Sequence, residues 1–323
     1  MTIKIKGLLA ALFGIAAALP GFAVAQEYPS KPVRIIVTST AGGPTDIVAR
    51  TLAAYLEKRF KQPFIAEAHP GADGLIALTM LSKSAPDGYT VAVAQSGFPH
   101  KEATDKTWNL KFGKDFTVLS IFVGGGAVLI VPTSLPITNL QELVAYAKAN
   151  PGKLNQATVG DKPQEAVTAI WRKLGIDSLL TNITYKGGGP ASQAVAAGEA
   201  HLWTAGLGDA MNYSKAGKVR MLAYTELERS PLAPNLPTLQ EVNPDLAGYR
   251  FDFWFALAVP VGVPAAVSDK LLSATRDATR EAEFRNRVSA FGMHVMELGP
   301  EASQDRIVGD MKREIQFSAS NKP

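Results

Sequence analysis

Two rhythms of apolar and polar positions alternate along this chain. Short β-branched or apolar runs at Val33–Val37, 64–66, 90–94 and 117–123 read as strands, while apolar positions at helical spacing, such as Ile47, Leu52, Leu56 and Phe60 within Pro44–Phe60, read as an amphipathic helix. A second helix is predicted over 75–84, and Asp87-Gly88 marks the turn that follows it. Strands alternating with helices predict an α/β fold with largely parallel sheets. Gly124-Gly125-Gly126 interrupts an apolar run from Val118 to Val131, which predicts a flexible crossing into a second lobe beginning at 127–131. There, Thr138 with Gln141 three residues on predicts a capping box, opening a helix that Pro151-Gly152 ends. Strands at 154–158, 183–185, 202–205 and 220–223 and helices at 164–174 and 190–197 complete the lobe. Gly248 and the aromatic run Tyr249, Phe251, Phe253, Trp254, Phe255 lead back through 257–259 to the first lobe. Helices at 264–281, 283–291 and 300–318, with a short strand at 295–298, are expected to pack on it. The expected division is a leader at 1–25, a first domain of 26–125 plus 249–323, and a second of 126–248.

One short motif occurs in both halves: Gly42-Gly43-Pro44 and Gly188-Gly189-Pro190 each follow a strand and each open a helix. Proline at the first helical position wastes no donor, and glycine before it lets a ligand touch the backbone beside the unpaired first amides. Such helix starts favour negative charge. The dipole gives about 0.3–1 kcal/mol per anionic group, and charge-assisted hydrogen bonds add about 1.5–3 kcal/mol each. Micromolar affinity needs about 8 kcal/mol, within reach of several amide and hydroxyl contacts without a buried lysine or arginine. Either copy alone also fits an ordinary strand-to-helix connection. The duplication and the hydroxyls of Ser39, Thr40, Thr45 and Ser192 favour a two-jawed anion trap, with Asp46 placed in the first turn to cap its helix.

The ends and the composition narrow the class. Lys4 and Lys6, an apolar run from Leu8 to Leu19 and Ala23-Val24-Ala25 have the form of a secretory leader, too short and wrongly flanked for a membrane span. With no cysteine there are no disulfides and no thiolate chemistry, so about 298 mature residues must rely on their cores. Without the leader, 31 basic residues face 29 acidic ones, scattered rather than clustered, which argues against nucleic-acid binding. The chain lacks a Gly-x-Ser-x-Gly elbow, a phosphate loop and a dinucleotide fingerprint, so neither an enzyme nor a cofactor is expected. His69, His100, His201 and His294 are isolated, so no metal is expected. Glu226, Glu228, Asp305, Asp310 and Glu314 read as loop and helix-surface charges.

The segments 27–37, Ala41-Gly42-Gly43-Pro44-Thr45-Asp46, Ala85-Pro86-Asp87-Gly88-Tyr89-Thr90, 149–155, Tyr185-Lys186-Gly187, Lys215-Ala216-Gly217-Lys218 and Arg229-Ser230-Pro231 resemble the Bug family, extracytoplasmic solute receptors of tripartite tricarboxylate transporters. The resemblance runs over essentially the whole mature chain. It implies a periplasmic-binding-protein fold of type II, with two α/β lobes joined by two crossing strands and a ligand carboxylate held in the cleft. It also implies a periplasmic monomer that delivers a small carboxylate to membrane transporter subunits; docking on a membrane signalling kinase would use the same closed state. The implied ligand loops are Ser39–Asp46, with Thr40, Ala41, Gly42, Gly43 and Thr45; Gln95, Ser96 and Gly97; Asp161; Gly188, Gly189, Pro190, Ala191 and Ser192; and Ala205. Thr38-Ser39-Thr40 stands where the family commonly has Pro-Phe-Pro, and Ala205 where it often has an aspartate able to meet an amine. A dicarboxylate, or an aromatic acid of the terephthalate or nicotinate type, is therefore expected ahead of an amino acid. Lys162 and His100 stand between ligand contact and solvent, and Trp203 and Phe98 between stacking on a ligand and core.

Overall fold

The computed structural model describes residues 27–159 and 165–320; the expected leader, Asp161 and Lys162 lie outside them. The first lobe opens with β1 (Val33–Val37), α1 (Pro44–Phe60), β2 (Phe64–Ala68), α2 (Leu75–Ser82), β3 (Thr90–Gln95) and α3 (Gly97–Thr104), and β4 (Phe116–Pro132) leads out of it. The second lobe contains α4 (Leu140–Ala149), β5 (Leu154–Val159), α5 (Glu165–Leu174), β6 (Leu180–Tyr185), α6 (Gly188–Ala197), β7 (Trp203–Gly206), α7 (Leu207–Lys215), β8 (Val219–Tyr224) and α8 (Leu239–Val242). The chain returns along β9 (Asp252–Pro260) and ends in α9 (Ala265–Arg280), α10 (Ala282–Ser289), β10 (His294–Leu298) and α11 (Pro300–Ser320). The periodicity of the sequence located most of these elements. It missed α7, α8 and α3, reading the start of α3 as loop.

The first-lobe sheet has the order β10-β4-β9-β3-β1-β2. Val33, Ile35, Ile36 and Val37 of β1 are all buried because helices cover both faces of the sheet, so the strand reads as a continuous apolar run broken by exposed Arg34. The expectation of largely parallel sheets is corrected. Among the described strands only β1–β2, β1–β3 and β5–β6 pair in parallel, while β4 runs antiparallel to β7, β8, β9 and β10. The physical reason is connectivity: β4 and β9 carry the chain through one junction in opposite directions, free of the crossover that makes neighbours parallel.

The glycine triplet is also corrected, because it neither breaks nor loosens the chain. Strand β4 continues through it, pairing Gly124 with Trp254, Gly125 with Phe253 and Gly126 with Asp252, before Val128–Pro132 pair with β8. Side chains crowd each position. A Cβ on Gly124 would lie 2.2 Å from Met296 Sδ, one on Gly125 2.9 Å from the Phe253 ring, and one on Gly126 2.8 Å from both Tyr224 and Glu226. Close approach, not mobility, requires glycine here.

The capping box moves by one residue. Asn139, not Thr138, caps α4: its side chain accepts from Glu142 N at 2.8 Å, while Glu142 Oε2 accepts from Thr138 N at 2.7 Å. That register puts Leu140 and Leu143 in the core. Among the described residues four clusters of buried hydrophobics form the cores, two on the first-lobe sheet and two in the second lobe. Tyr249 and Phe251 pack against the second lobe, Phe253 and Trp254 with the first. The tail helices pack on the first lobe, and β10 pairs with β4.

Candidate functional site

Gly42 takes φ +80°, a conformation that costs glycine little, and its N–H donates to Asp46 Oδ2 at 2.9 Å. Arg50 Nε donates to the same oxygen at 2.9 Å. Burial pushes the Asp46 carboxyl up, but Arg50 and the Gly42 amide outweigh it and hold the group below the ordinary range. Asp46 thus clasps the turn in front of α1. Gly43 is the N-cap with no side-chain cap, Pro44 is the first helical residue, and the first intrahelical bond runs from Ile47 N to Gly43 O. The amides of Thr45 and Asp46 therefore begin the helix without an intrahelical acceptor.

Beside this start lies a cavity of about 410 Å³. Ser39, Thr40, Gly43, Pro44 and Thr45 form one side of it, Gln95, Ser96 and Gly97 another, and Phe251, Asp252, Phe253 and Phe255 a third. Of the residues singled out in the first lobe, Ala41, Gly42 and Asp46 form the turn itself instead of the cavity wall. The wall from 251 to 255 was not singled out. Its signal was the period-two aromatic repeat Phe251, Phe253, Phe255, which puts Phe253 and Phe255 on one face of β9, with Phe251 just before the strand, and sends Trp254 to the other face. Trp254 is fully buried and donates to Asp310 Oδ2 at 2.9 Å.

Among the described residues no lysine, arginine or histidine lines this cavity. The one charged group among its described lining residues, Asp252, accepts from Arg306 and lies 3.7 Å from Arg250. Behind it Asp310 accepts from Arg250 at 2.8 Å, Arg306 at 3.0 Å and Arg313 at 2.7 Å. Burial alone would raise the Asp310 carboxyl, and these guanidiniums hold it below its usual range. The reading of Asp310 as a surface charge is therefore corrected, since its neighbours arrive from β9, from the segment leading into it and from its own helix. Glu226 is corrected likewise: it is largely buried, and burial pushes its carboxyl up to about 7.

The second motif departs from its expected geometry. Gly187 is the N-cap of α6, Gly188 and Gly189 occupy its first two positions, and Pro190 is third. Ala191 N donates to Gly187 O at 3.2 Å, so the outward amides are those of Gly188 and Gly189, not those that follow Gly189. A Cβ on Gly189 would meet nothing within 4 Å. Ser192 is buried; its hydroxyl accepts from the Trp203 indole at 3.2 Å and lies 3.5 Å from Asp209 Oδ2. Ala191 and Ala205 are buried in the same lobe's core. Gly188, Gly189, Pro190, Ala191, Ser192 and Ala205 do not line the cavity of the first lobe. Phe98 resolves as core, packed on Phe116 and Trp254, and His100 Nδ1 pairs with Glu314 at 2.8 Å. Among the described residues no group of three or more His, Asp or Glu could hold a metal ion, and no helix is long and apolar enough to cross a membrane.

This architecture has solved counterparts. Rpa4515 of R. palustris, determined with adipate, superimposes with a TM-score of 0.75 at 26% identity, over 91% of this chain and 98% of that one. MatC (Rpa3494) from Rhodopseudomonas palustris with bound malate gives 0.72 at 27% identity, over 90% and 99%. A relative in Cupriavidus necator, described as the UPF0065 protein in the gbd 5' region, is 34% identical over 281 residues, 86% of this chain and 83% of its own. The pattern described as "Tripartite tricarboxylate transporter family receptor" matches residues 48–316, and with two lobes, crossing strands and a polar helix start at the cavity, the chain belongs to that family.

Proposed function

We propose that this chain is a periplasmic receptor that binds a small carboxylate between its lobes and delivers it to a tripartite tricarboxylate-type membrane transporter. The observation that carries this reading is the cavity at the start of α1. It offers helix-start amides, the hydroxyls of Ser39, Thr40 and Ser96 and the Gln95 side chain, backed by three phenylalanines and, among the described residues, with no cationic side chain. Such a wall suits a carboxylate attached to an apolar or aromatic body, either a dicarboxylate or an aromatic acid. Adipate and malate in the related structures support the same ligand class. The amides of Gly188 and Gly189 would take the other end of the ligand once the lobes close. The leader-like start of the chain supports export. The two domains would divide within β4 near Gly126 and again close to the expected 248/249 boundary, moved to after Phe251 because Tyr249 and Phe251 still pack with the second lobe.

The test is a thermal-shift and calorimetric screen of the purified mature chain against adipate, malate, citrate, terephthalate, nicotinate and amino acids. At least one dicarboxylate or aromatic acid is expected to bind one-to-one and to be recovered unchanged. Gly43→Val, whose Cβ would sit 3.3 Å from Thr40 O, and Gly189→Val, whose Cβ points into open space, are expected to abolish binding with little change in fold. Wild-type affinity in both variants, or binding of none of the acids, would overturn the reading.

A further inference from the structure

Thr45 occupies the second position of α1, and 2% of it is exposed. Its hydroxyl does not bond along its own helix. It crosses to the end of β3 and donates to Gln95 Oε1 at 3.0 Å. With that oxygen occupied, the amide nitrogen turns toward Gly97, where an ideal Cβ would stand 4.0 Å from Gln95 Nε2. Gln95 and Gly97 both line the cavity, and the end of the amide that Thr45 leaves free is the nitrogen with its two N–H donors. In the flipped amide the oxygen would face the same space and repel an anion.

We propose that Thr45 is a positioning residue and Gln95 the specificity-determining one: their hydrogen bond turns the Gln95 amide nitrogen into the cavity, so that the site accepts carboxylate oxygens and rejects ends that bring their own N–H. The inference rests on the carboxylate reading above. It assigns Thr45 a role different from direct contact, because a hydroxyl spent on Gln95 and buried beneath it has no proton left for a ligand. It predicts selectivity, without a charged side chain, against ammonium groups and against amides that bring an N–H in place of one carboxylate oxygen, since a donor facing a donor leaves both unpaired.

Two measurements test it. In ligand-free protein, NMR should show contacts between the Gln95 side-chain amide protons and Gly97 in the wild type and in Thr45→Ser, lost in the near-isosteric Thr45→Val; their persistence in Thr45→Val would overturn the inference whatever the protein binds. Calorimetry with adipate and adipamide gives the functional readout. Thr45→Val and Gln95→Leu should each weaken adipate by about tenfold, or 1.4 kcal/mol, and the double variant should be no worse than Gln95→Leu. Thr45→Ser should restore affinity and preference for adipate over adipamide. Additive losses would mean that Thr45 acts independently of Gln95 and would also overturn the inference. If the wild type binds no acid of the panel, the proposed function fails instead, and the ligand-free spectra still decide the orientation.

Discussion

Glu226 stands at the junction of the lobes, just beyond the end of β8. Tyr224 Oη donates to it at 2.7 Å and itself accepts from Gly126 N at 2.7 Å, while His294 Nε2 lies 3.9 Å away on the first lobe. Burial raises its carboxyl from an ordinary 4.5 to about 7; the Tyr224 hydrogen bond and the charges of Arg306 and Arg250 oppose the rise, and Asp252 adds to it. Because the folded value is the higher one, the folded protein holds more protons than the unfolded chain between those limits. Stability is therefore greatest below this window and declines as pH climbs through it, by at most about 3 kcal/mol. Glu226→Gln, neutral at every pH, should match the wild-type melting temperature near pH 4.5 and exceed it progressively up to about pH 8; a gap constant across that range would refute the assignment. Little of this was legible in the sequence. Glu226 and Asp310 read as solvated charges because the groups that bury and pair them are brought together only by the fold, whereas Ser39, Thr40 and Gln95 could be placed because each follows a strand recognisable by its own composition.

Among the elements, β4 departs most from its local signal. A glycine triplet signals either looseness or crowding, and the residues that decide, Phe253, Met296 and Tyr224, lie on other strands. Adding one methyl group at Gly126 forces Tyr224 and Glu226 aside, so Gly126→Ala is expected to cost about 1–3 kcal/mol, the range for overpacking. Gly189→Ala, in open space on α6, should change stability by less than about 1 kcal/mol. Chemical denaturation of the two variants makes the comparison, and equal stabilities would restore the reading of the triplet as a loose linker. The start of α6 shows a second limit. Glycine-proline marked a helix start correctly, but the same three residues sit two positions deeper in α6 than in α1, and only the Ala191 N–H to Gly187 O bond reveals it.

At the scale of the whole molecule, the lobes also touch away from the crossing strands. A Cβ on Gly208, in the first turn of α7, would lie 2.9 Å from the Phe291 carbonyl carbon and 3.0 Å from Gly292 N, where α10 ends. Gly292 takes φ +73° and needs glycine for its own turn. Gly208 has no such need, so its missing side chain serves the contact between lobes. Gly208→Ala should therefore alter the angle between them. The chain has no cysteine, so a pair introduced at exposed Lys83 and Lys148 can carry spin labels without interference. Pulsed electron resonance should then record a shifted distance distribution in the variant, and superimposable distributions would mean that the contact does not set the angle. Element order and the α/β class were legible along the chain, but strand direction was not, because it depends on which strands meet in the junction.

One strand shared by two sheets makes the halves inseparable. A cut at the junction would leave each piece with a fragment of β4, and its neighbours would present bare edge hydrogen bonds along the missing length. Either half expressed alone is therefore expected to aggregate through those edges, and a fusion to carry the protein whole.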